Sequence, residues 1–299
     1  MDGRLVSVTT SDRVRLDGFY SAAQCVPVKG VDACVITHGL SGNFYTSRLL
    51  KHLARFCVSR GMSSVLINTR GHDYLNLTVR SGRSTTLGAA YEKIEECPFD
   101  LNAWVDFLVG QGHQKILLAG HSLGAIKTLY AQAHAAHSHV VGVFCLSATR
   151  LSHAALLAAS PDGKFANWME VARQRVASGQ GQELLYVDYP FPTWMSAAAY
   201  LEKYGSGDQL NWLQFIDRIE VPAWVGFGEL ELEENPVFVG LEDEVARVAG
   251  HLENVAIETI PGADHFYSAR YGAVESAMEC WLDNCYPTEG TDRASGNAP

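Results

Sequence analysis

The sequence predicts an α/β protein built on a doubly wound, mostly parallel sheet with an inserted helical lid. The first observation is a series of short, continuous apolar runs, typical of strands buried on both faces: 33–38, 63–69, 115–120, 140–147, 223–228 and 255–260. The second is that segments with helical spacing, such as "SRLLKHLARFCVSRG" and "FDLNAWVDFLVGQG", separate most of these runs. Strands that alternate with helices predict a parallel sheet with helices packed against it.

The chain is expected to divide into a core, an insert and a tail. Two alternating stretches, "RLVSVTT" and "RVRLDGFY", predict an antiparallel strand pair at one edge of the sheet. In 149–220 no run predicts a strand and aromatic residues are frequent, so we expect a helical lid inserted into a core of 1–148 and 221–286. The polar end, 287–299, is expected to be a flexible tail.

Composition argues against several functional classes. Of the 299 residues, 47% are hydrophobic and 19% are charged, and the formal net charge is −10. Nucleic acid and anionic membranes are therefore not expected as partners, because binding them needs clustered Lys and Arg. The chain shows neither a secretory pattern nor an apolar run of the roughly 20 residues that span a bilayer. Together with its scattered cysteines, this predicts a cytoplasmic protein without a disulfide framework.

A serine stands where a predicted strand meets a predicted helix. Ser122 is the centre of Gly-His-Ser-Leu-Gly, residues 120–124, with "KILLAG" before it and a helix-forming run after it. This context is that of a nucleophile elbow, in which a tight turn exposes the serine oxygen near a helix N-terminus. The alternative is that Ser122 only caps the helix, since serine is a preferred N-cap residue.

A nucleophilic serine needs a base and an orienting acid, and both have candidates later in the chain. His265 follows the last predicted strand, in the loop "PGADHFY". An acidic cluster follows the preceding strand, and Glu231 is the third residue after Gly228. Glu231 is the favoured acid and Glu229 the second choice, with a solvated acidic surface as the alternative for the cluster.

Two backbone amides are expected to stabilise a developing oxyanion. One is the amide of Leu123, directly after the serine, and the other is that of Leu40, which follows the His38-Gly39 turn after an earlier strand. We expect His38 and Gly39 to contact substrate, as well as His121, which is predicted to pack beside the nucleophile rather than act as a second base.

The insert supplies aromatic candidates for substrate binding. Trp and Tyr combine apolar area with a polar group, which suits a large, partly oxygenated ligand. Tyr186, Tyr189, Trp194 and Trp212 are the predicted contacts, although part of this set is expected to form the insert's own core.

Other polar segments have structural and functional interpretations. One interpretation of "NTRGHDY" is that it frames the pocket. The favoured one is that its polar side chains form hydrogen bonds that support the oxyanion turn. The long polar segment 75–96 is either a functional lid or a mobile loop. His134, His137 and His139 cannot all share one helical face, so a structural histidine cluster is favoured over a metal site. No cofactor or metal is expected.

The motifs "THG", "GHSLG", "GELE" and "GADH" resemble those of the α/β-hydrolase superfamily, over roughly residues 30–284. The resemblance implies the α/β-hydrolase fold and a serine hydrolase. Glu231 departs from the family's more usual Asp. The strings "HGLSGNFYTSRLL" and "NTRGHDY" resemble a branch that includes siderophore-ester hydrolases, and the chain is also similar to the esterases that open macrolide antibiotics.

The sequence therefore predicts a serine-dependent ester or lactone hydrolase, acting on a small molecule such as a macrolide. Esterases for siderophores or other bulky secondary-metabolite esters, thioesterases and carbon–carbon hydrolases are alternatives on the same fold. A ligand-binding receptor that keeps the pocket is the non-enzymatic alternative. The oligomeric state is left open.

Overall fold

A computed structural model describes residues 2–25, 30–238 and 240–287. Its strands are β1 Arg4–Thr9, β2 Arg15–Ser21, β3 Ala33–Thr37, β4 Ser63–Ile67, β5 Asn76–Arg80, β6 Arg83–Leu87, β7 Ile116–His121, β8 Val140–Leu146, β9 Leu184–Val187, β10 Thr193–Ser196, β11 Ala223–Gly228 and β12 Val255–Ile260. Its α-helices are α1 Arg48–Ser59, α2 Cys97–Gly110, α3 Leu123–Ala135, α4 His153–Ala158, α5 Lys164–Ala177, α6 Ala197–Tyr204, α7 Glu229–Glu234, α8 Leu241–Ala249 and α9 Tyr271–Cys285.

Eight strands form the central sheet, in the order β1-β2-β4-β3-β7-β8-β11-β12. The first two joins, β1 with β2 and β2 with β4, are antiparallel, and the others are parallel. Strands β3, β4 and β7 are buried along their whole length, as their continuous apolar runs predict. The predicted mostly parallel sheet with an antiparallel edge is confirmed.

Helices cover both faces of the sheet, each over its own apolar core. On one face α1 and α9 pack against side chains such as Ile36, Leu117 and Phe144. On the other face α2 and α3 pack against the strands that carry Val35 and Leu118, the neighbours of Ile36 and Leu117, and α8 belongs to the same apolar core. This separation follows from the alternation of side chains along a strand, and it is the doubly wound arrangement that the sequence predicts.

The insert between β8 and β11 is mixed rather than purely helical. It contains α4, α5 and α6, and also an antiparallel hairpin of β9 and β10 in which Trp194 lies opposite Tyr186. The hairpin corrects the expectation that no strand occurs in this interval. Each of its strands has four residues, too few for a clear periodic pattern, while their aromatic and aliphatic side chains suit a strand.

The long polar segment also forms a hairpin, β5 with β6, which is tied to the core by a buried arginine. The Arg70 guanidinium donates to Asp100, Asp12 and Glu96 at 2.6 to 3.0 Å. Arg80, at the end of β5, donates to the same Asp12 at 2.9 Å. Arg80 and Glu96 of the segment therefore share a network of charges with the core.

Two further predictions concern the membrane and the end of the chain. Within the described residues, every helix is too short or too polar to cross a bilayer. The predicted flexible tail, 287–299, lies outside the described residues from position 288 onward.

Candidate active site

Ser122 occupies a strained turn between β7 and α3. Its φ of 57° and ψ of −124° are uncommon for a residue with a side chain, and such strain is typical of functional positions. Two close approaches require the flanking glycines. A Cβ on Gly120 would lie 2.4 Å from the Gly124 carbonyl oxygen, and one on Gly124 would lie 2.4 Å from that of His38. The turn therefore has the geometry of the predicted elbow.

The structure brings His265 and Glu231 to Ser122. His265 Nε2 lies 3.1 Å from Ser122 Oγ, and His265 Nδ1 lies 2.5 Å from Glu231 Oε2. A carboxylate only accepts hydrogen bonds, so Nδ1 carries the proton and Nε2 presents its lone pair to the Ser122 hydroxyl. Glu229, the second choice for the acid, instead accepts a hydrogen bond from the Gly262 amide at 2.8 Å.

The second oxygen of Glu231 is held by groups that the sequence analysis does not identify. Glu231 Oε1 accepts from the Gly228 amide at 2.7 Å and from the Ser147 hydroxyl at 2.7 Å. Ser147 lies in turn 3.0 Å from the hydroxyl of Tyr267, which donates to the Gly226 carbonyl at 3.1 Å. Burial, with the nearby charge of Glu231, raises the pKa of Tyr267, so this hydroxyl stays neutral.

The two residues predicted to donate to an oxyanion line the space around Ser122. Leu123 begins α3, and Leu40 follows the turn after β3, close enough to line the same cavity as Ser122. Neither of these two N–H groups donates to another group in the described part of the chain. Both are therefore available to an oxyanion.

His38 stabilises the turn that carries Leu40. The Thr69 amide donates to His38 Nε2 at 3.2 Å, so the proton is on Nδ1, which donates to the Gly39 carbonyl at 2.7 Å. Burial, followed by the charge of Lys127, lowers the pKa of His38 to about 3. His38 is therefore neutral. Thr69 belongs to "NTRGHDY", and its contact agrees with the supporting role predicted for that segment.

A buried charge pair lies behind this turn, and the sequence analysis does not identify it. Lys127 Nζ donates to Thr69 Oγ1 at 3.0 Å and to Glu92 Oε2 at 2.6 Å. Lys203 of the insert donates to the Glu92 carbonyl at 3.2 Å. All three charged side chains are buried. A lysine in an otherwise apolar helix is a signal of a buried charge, but the partners of Lys127, Glu92 and Thr69, are 35 and 58 residues away in the sequence.

His121 packs behind His265. Its Nε2 donates to the backbone carbonyl of His265 at 2.6 Å, and burial, followed by the electrostatic effect of the neighbouring His265 ring, lowers the pKa of His121 to about 3. A histidine with so low a pKa is a poor base at neutral pH, which agrees with its predicted packing role. His121 also lines the cavity, as do His38 and Gly39.

The cavity at Ser122 is a cleft of about 740 Å³ that extends toward α1 and α9. This volume lies within the usual range for small-molecule sites, roughly 300–1,000 Å³. Its wall combines polar groups of the turn after β3 with aromatic rings, among them Tyr74, Phe266 and Tyr271. Phe191 is the insert aromatic that reaches it, and the sequence analysis does not select this residue.

The four predicted insert aromatics do not line this cleft in the described part of the chain. Trp212 is fully buried, and its Nε1 donates to the Ala148 carbonyl at 3.2 Å. Tyr189 is buried and donates to the Leu156 carbonyl at 3.0 Å. Tyr186 and Trp194 pack on each other across the hairpin and are half-exposed. Residue type alone does not distinguish a core aromatic from a cavity aromatic.

The histidine cluster has local partners. His134 Nδ1 donates to the Tyr130 carbonyl, His137 pairs with Asp106 and His139 with Gln114, at 3.0 to 3.2 Å. No group of three or more potential metal ligands converges anywhere in the described ranges.

The comparison with family models agrees with this geometry. A model described as Alpha/beta hydrolase family matches residues 34–277, which is most of the chain. The chain belongs to the Alpha/beta hydrolase family. Membership supports a hydrolase activity. Among curated proteins, none matches the sequence significantly.

Solved structures with the same fold include esterases. GrgF, an alpha/beta hydrolase from Penicillium sp. sh18, is 16% identical, with a TM-score of 0.70 over 96% of this chain and 100% of GrgF. The Pyrococcus furiosus esterase Pf2001 is 16% identical, with a TM-score of 0.63 over 95% and 92%. Est1E from Butyrivibrio proteoclasticus, solved with ferulic acid, is 16% identical, with a TM-score of 0.63 over 94% and 98%. At these identities the likeness concerns the fold.

Proposed function

We propose that this α/β hydrolase is a serine-dependent carboxylic ester hydrolase, with Ser122 as nucleophile, His265 as base and Glu231 as the orienting acid. The observation that carries the proposal is the continuous chain of hydrogen bonds from Glu231 through His265 to Ser122, at 2.5 and 3.1 Å. It begins at a buried carboxylate and ends at a hydroxyl in an open cleft. This is the arrangement that activates a serine for acyl transfer.

The reaction follows from these positions. His265 Nε2 takes the proton of Ser122 as Oγ attacks the ester carbonyl, and Glu231 stabilises the imidazolium that forms. The amides of Leu40 and Leu123 donate to the oxyanion. His265 then protonates the leaving alkoxide, and the alcohol departs from the acyl-enzyme. Water repeats the sequence and releases the acid, so one water is consumed for each ester bond.

A bulky ester is favoured as substrate because the cleft is large and open. Macrolactones and siderophore esters, which the sequence resemblance suggests, are candidates of that size. A lactone would gain one water without losing a fragment, since acid and alcohol stay in one molecule. One of the structural neighbours, Pf2001, carries the name esterase, which favours an ester bond over the thioester and carbon–carbon bonds that the fold also serves.

The test is mass spectrometry of a panel of nitrophenyl esters, siderophore esters and macrolides after incubation with wild type and with Ser122→Ala. We expect wild type alone to convert at least one ester, with the gain of one water. Ser268→Ala is a matched control, because Ser268 lines the cleft but lies outside the hydrogen-bond chain, and it should keep the activity. Equal conversion by wild type and Ser122→Ala would contradict the proposed nucleophile. Failure of a fluorophosphonate to label Ser122, with no turnover, would favour a receptor.

A further inference from the structure

The space around Ser122 has two compartments of very different size. The cleft of about 740 Å³ is joined by a small pocket of about 30 Å³. Both are lined by Ser122, and the residues Leu40, Thr149, Phe191 and Val237 also line both. His265 lines the cleft and not the small pocket, whereas Leu123 lines the small pocket and not the cleft.

Proton transfer decides which half of an ester enters each compartment. The leaving alkoxide must receive its proton from His265 Nε2, so the alcohol lies on the side that His265 lines, which is the cleft. The carbonyl oxygen lies between the amides of Leu40 and Leu123. The remaining substituent of the carbonyl carbon, the acyl chain, then points away from His265 and into the small pocket.

The walls of the small pocket are apolar and well packed. Leu151, Tyr204 and Val237 are buried members of one core cluster, and Leu123 belongs to the same cluster. Lys203 is the charged residue of the lining, but its ammonium group is directed to the Glu92 carbonyl at 3.2 Å. The pocket therefore offers an apolar chain a mainly apolar lining without an unpaired charge.

We propose that this pocket restricts the enzyme to short acyl groups, so that its substrates are acetyl or similarly short esters of bulky alcohols. By the same measure the small pocket has about 30 Å³ and the cleft about 740 Å³, so the pocket accepts a much shorter chain than the cleft does. A macrolactone has a long chain on its acyl side, which this pocket does not accommodate. The inference rests on the proposed ester hydrolysis and selects among its substrates.

The experiment is an acyl chain-length series on one alcohol: p-nitrophenyl acetate, butanoate, hexanoate and octanoate. We expect kcat/KM to be highest for acetate and to fall at least tenfold by hexanoate, since a methylene that does not fit a hydrophobic pocket is worth about 10- to 200-fold. A second series keeps the acetyl group and enlarges the alcohol from ethyl to naphthyl. Here kcat/KM should not fall with alcohol size.

Variants separate the pocket from the cleft. Leu151→Ala enlarges the small pocket and should move the optimum to butanoate or hexanoate. Val237→Ala is the second variant in case Leu151→Ala does not fold. It removes less side-chain volume and should move the optimal acyl length in the same direction. Tyr74→Ala, at a cleft position 45% exposed, is the matched control and should leave the acyl preference unchanged.

The outcomes distinguish the two proposals. A wild type that needs Ser122 but cleaves octanoate as well as acetate, or better, overturns the acyl-pocket assignment and leaves ester hydrolysis standing. The same holds if neither pocket variant shifts the optimum although both fold. A wild type that cleaves none of the esters overturns the proposed function itself.

Discussion

Two walls of the cavity differ in how they are built. The strand wall is formed by Ser122, His265 and the turn at Leu40. These groups follow the ends of β7, β12 and β3, and partly buried hydrogen bonds hold each of them. The insert wall is formed by Phe191 and Tyr204 and consists mainly of apolar contacts. Phe191 is 37% exposed.

The difference separates chemistry from selectivity. Atoms that transfer protons must be positioned to within a fraction of an ångström, and the ends of adjacent parallel strands provide that precision. An apolar wall only excludes or accepts volume, so its residues can change without loss of the reaction. Substitutions on the strand wall should therefore have large effects on rate or stability, and those on the insert small ones.

The largest expected effect is that of Glu231→Gln. An amide in place of the carboxylate disfavours the Nδ1–H tautomer and does not stabilise the imidazolium, and the corresponding change in serine proteases lowers kcat about 10⁴-fold. The matched control is Glu229→Gln, two residues away on the same helix and bonded to Gly262. It should keep kcat within about threefold. Steady-state kinetics on p-nitrophenyl acetate measure both, and equal losses would contradict the assignment of the acid.

The buried pair behind the strand wall should dominate stability. Lys127→Met leaves the Glu92 carboxylate without its closest partner. Removing one partner of a buried ion pair typically lowers the free energy of unfolding by about 3–5 kcal/mol. The control, Lys164→Met, removes an exposed lysine of the insert and should cost less than about 1 kcal/mol. Urea unfolding compares the two. A similar small loss in both would show that the buried pair does not stabilise the fold.

The low pKa of His121 predicts a smaller, pH-dependent effect. Its pKa in the folded protein is about 3, against about 6.5 in an unfolded chain. Below about pH 6.5 the unfolded chain therefore takes up a proton that the folded protein refuses, and stability falls as the pH falls. His121→Gln keeps a donor for the His265 carbonyl without a titrating group. Relative to this variant, the free energy of unfolding of wild type should fall by about 2 kcal/mol between pH 7 and pH 5.

Urea unfolding of both proteins at the two pH values measures this difference. If the difference in unfolding free energy between wild type and His121→Gln is the same at pH 7 and pH 5, His121 is already protonated in the folded protein at pH 5.

The smallest expected effect is on the insert wall. Phe191→Ala should raise KM for naphthyl acetate up to about tenfold with kcat nearly unchanged, because the ring provides binding area and no chemistry. Tyr186→Ala is the control, since Tyr186 is an exposed aromatic of the same insert that does not line the cavity within the described chain. A large loss of kcat in Phe191→Ala would contradict the separation of the two walls.

Much of the fold was predictable because buried parallel strands leave a direct trace in the sequence. The six apolar runs coincide with β3, β4, β7, β8, β11 and β12 within one or two residues. The order of Ser122, Glu231 and His265 along the chain was also informative, because each follows a different strand and the ends of those strands meet at one edge. The short strands of the insert were missed because four residues carry too weak a pattern.

The partners of the site were predictable only in part. The acidic cluster after β11 offers Glu229 and Glu231 with similar local patterns, and only the direction of each side chain distinguishes them. Ser147 was not identified because a serine after a strand is common. Trp212 and Phe191 are both aromatic residues of the insert, yet one is in the core and the other at the cavity.

By itself, the sequence determined the main strands of an α/β core, the tight turn at Ser122 and a set of candidates for base and acid. These features depend on local patterns: apolar runs, glycine spacing and residues just after a strand. The tertiary structure decided which glutamate holds His265, which aromatic faces the cleft and how small the acyl side of the cavity is. These depend on distances between segments far apart in the chain, which no local pattern encodes.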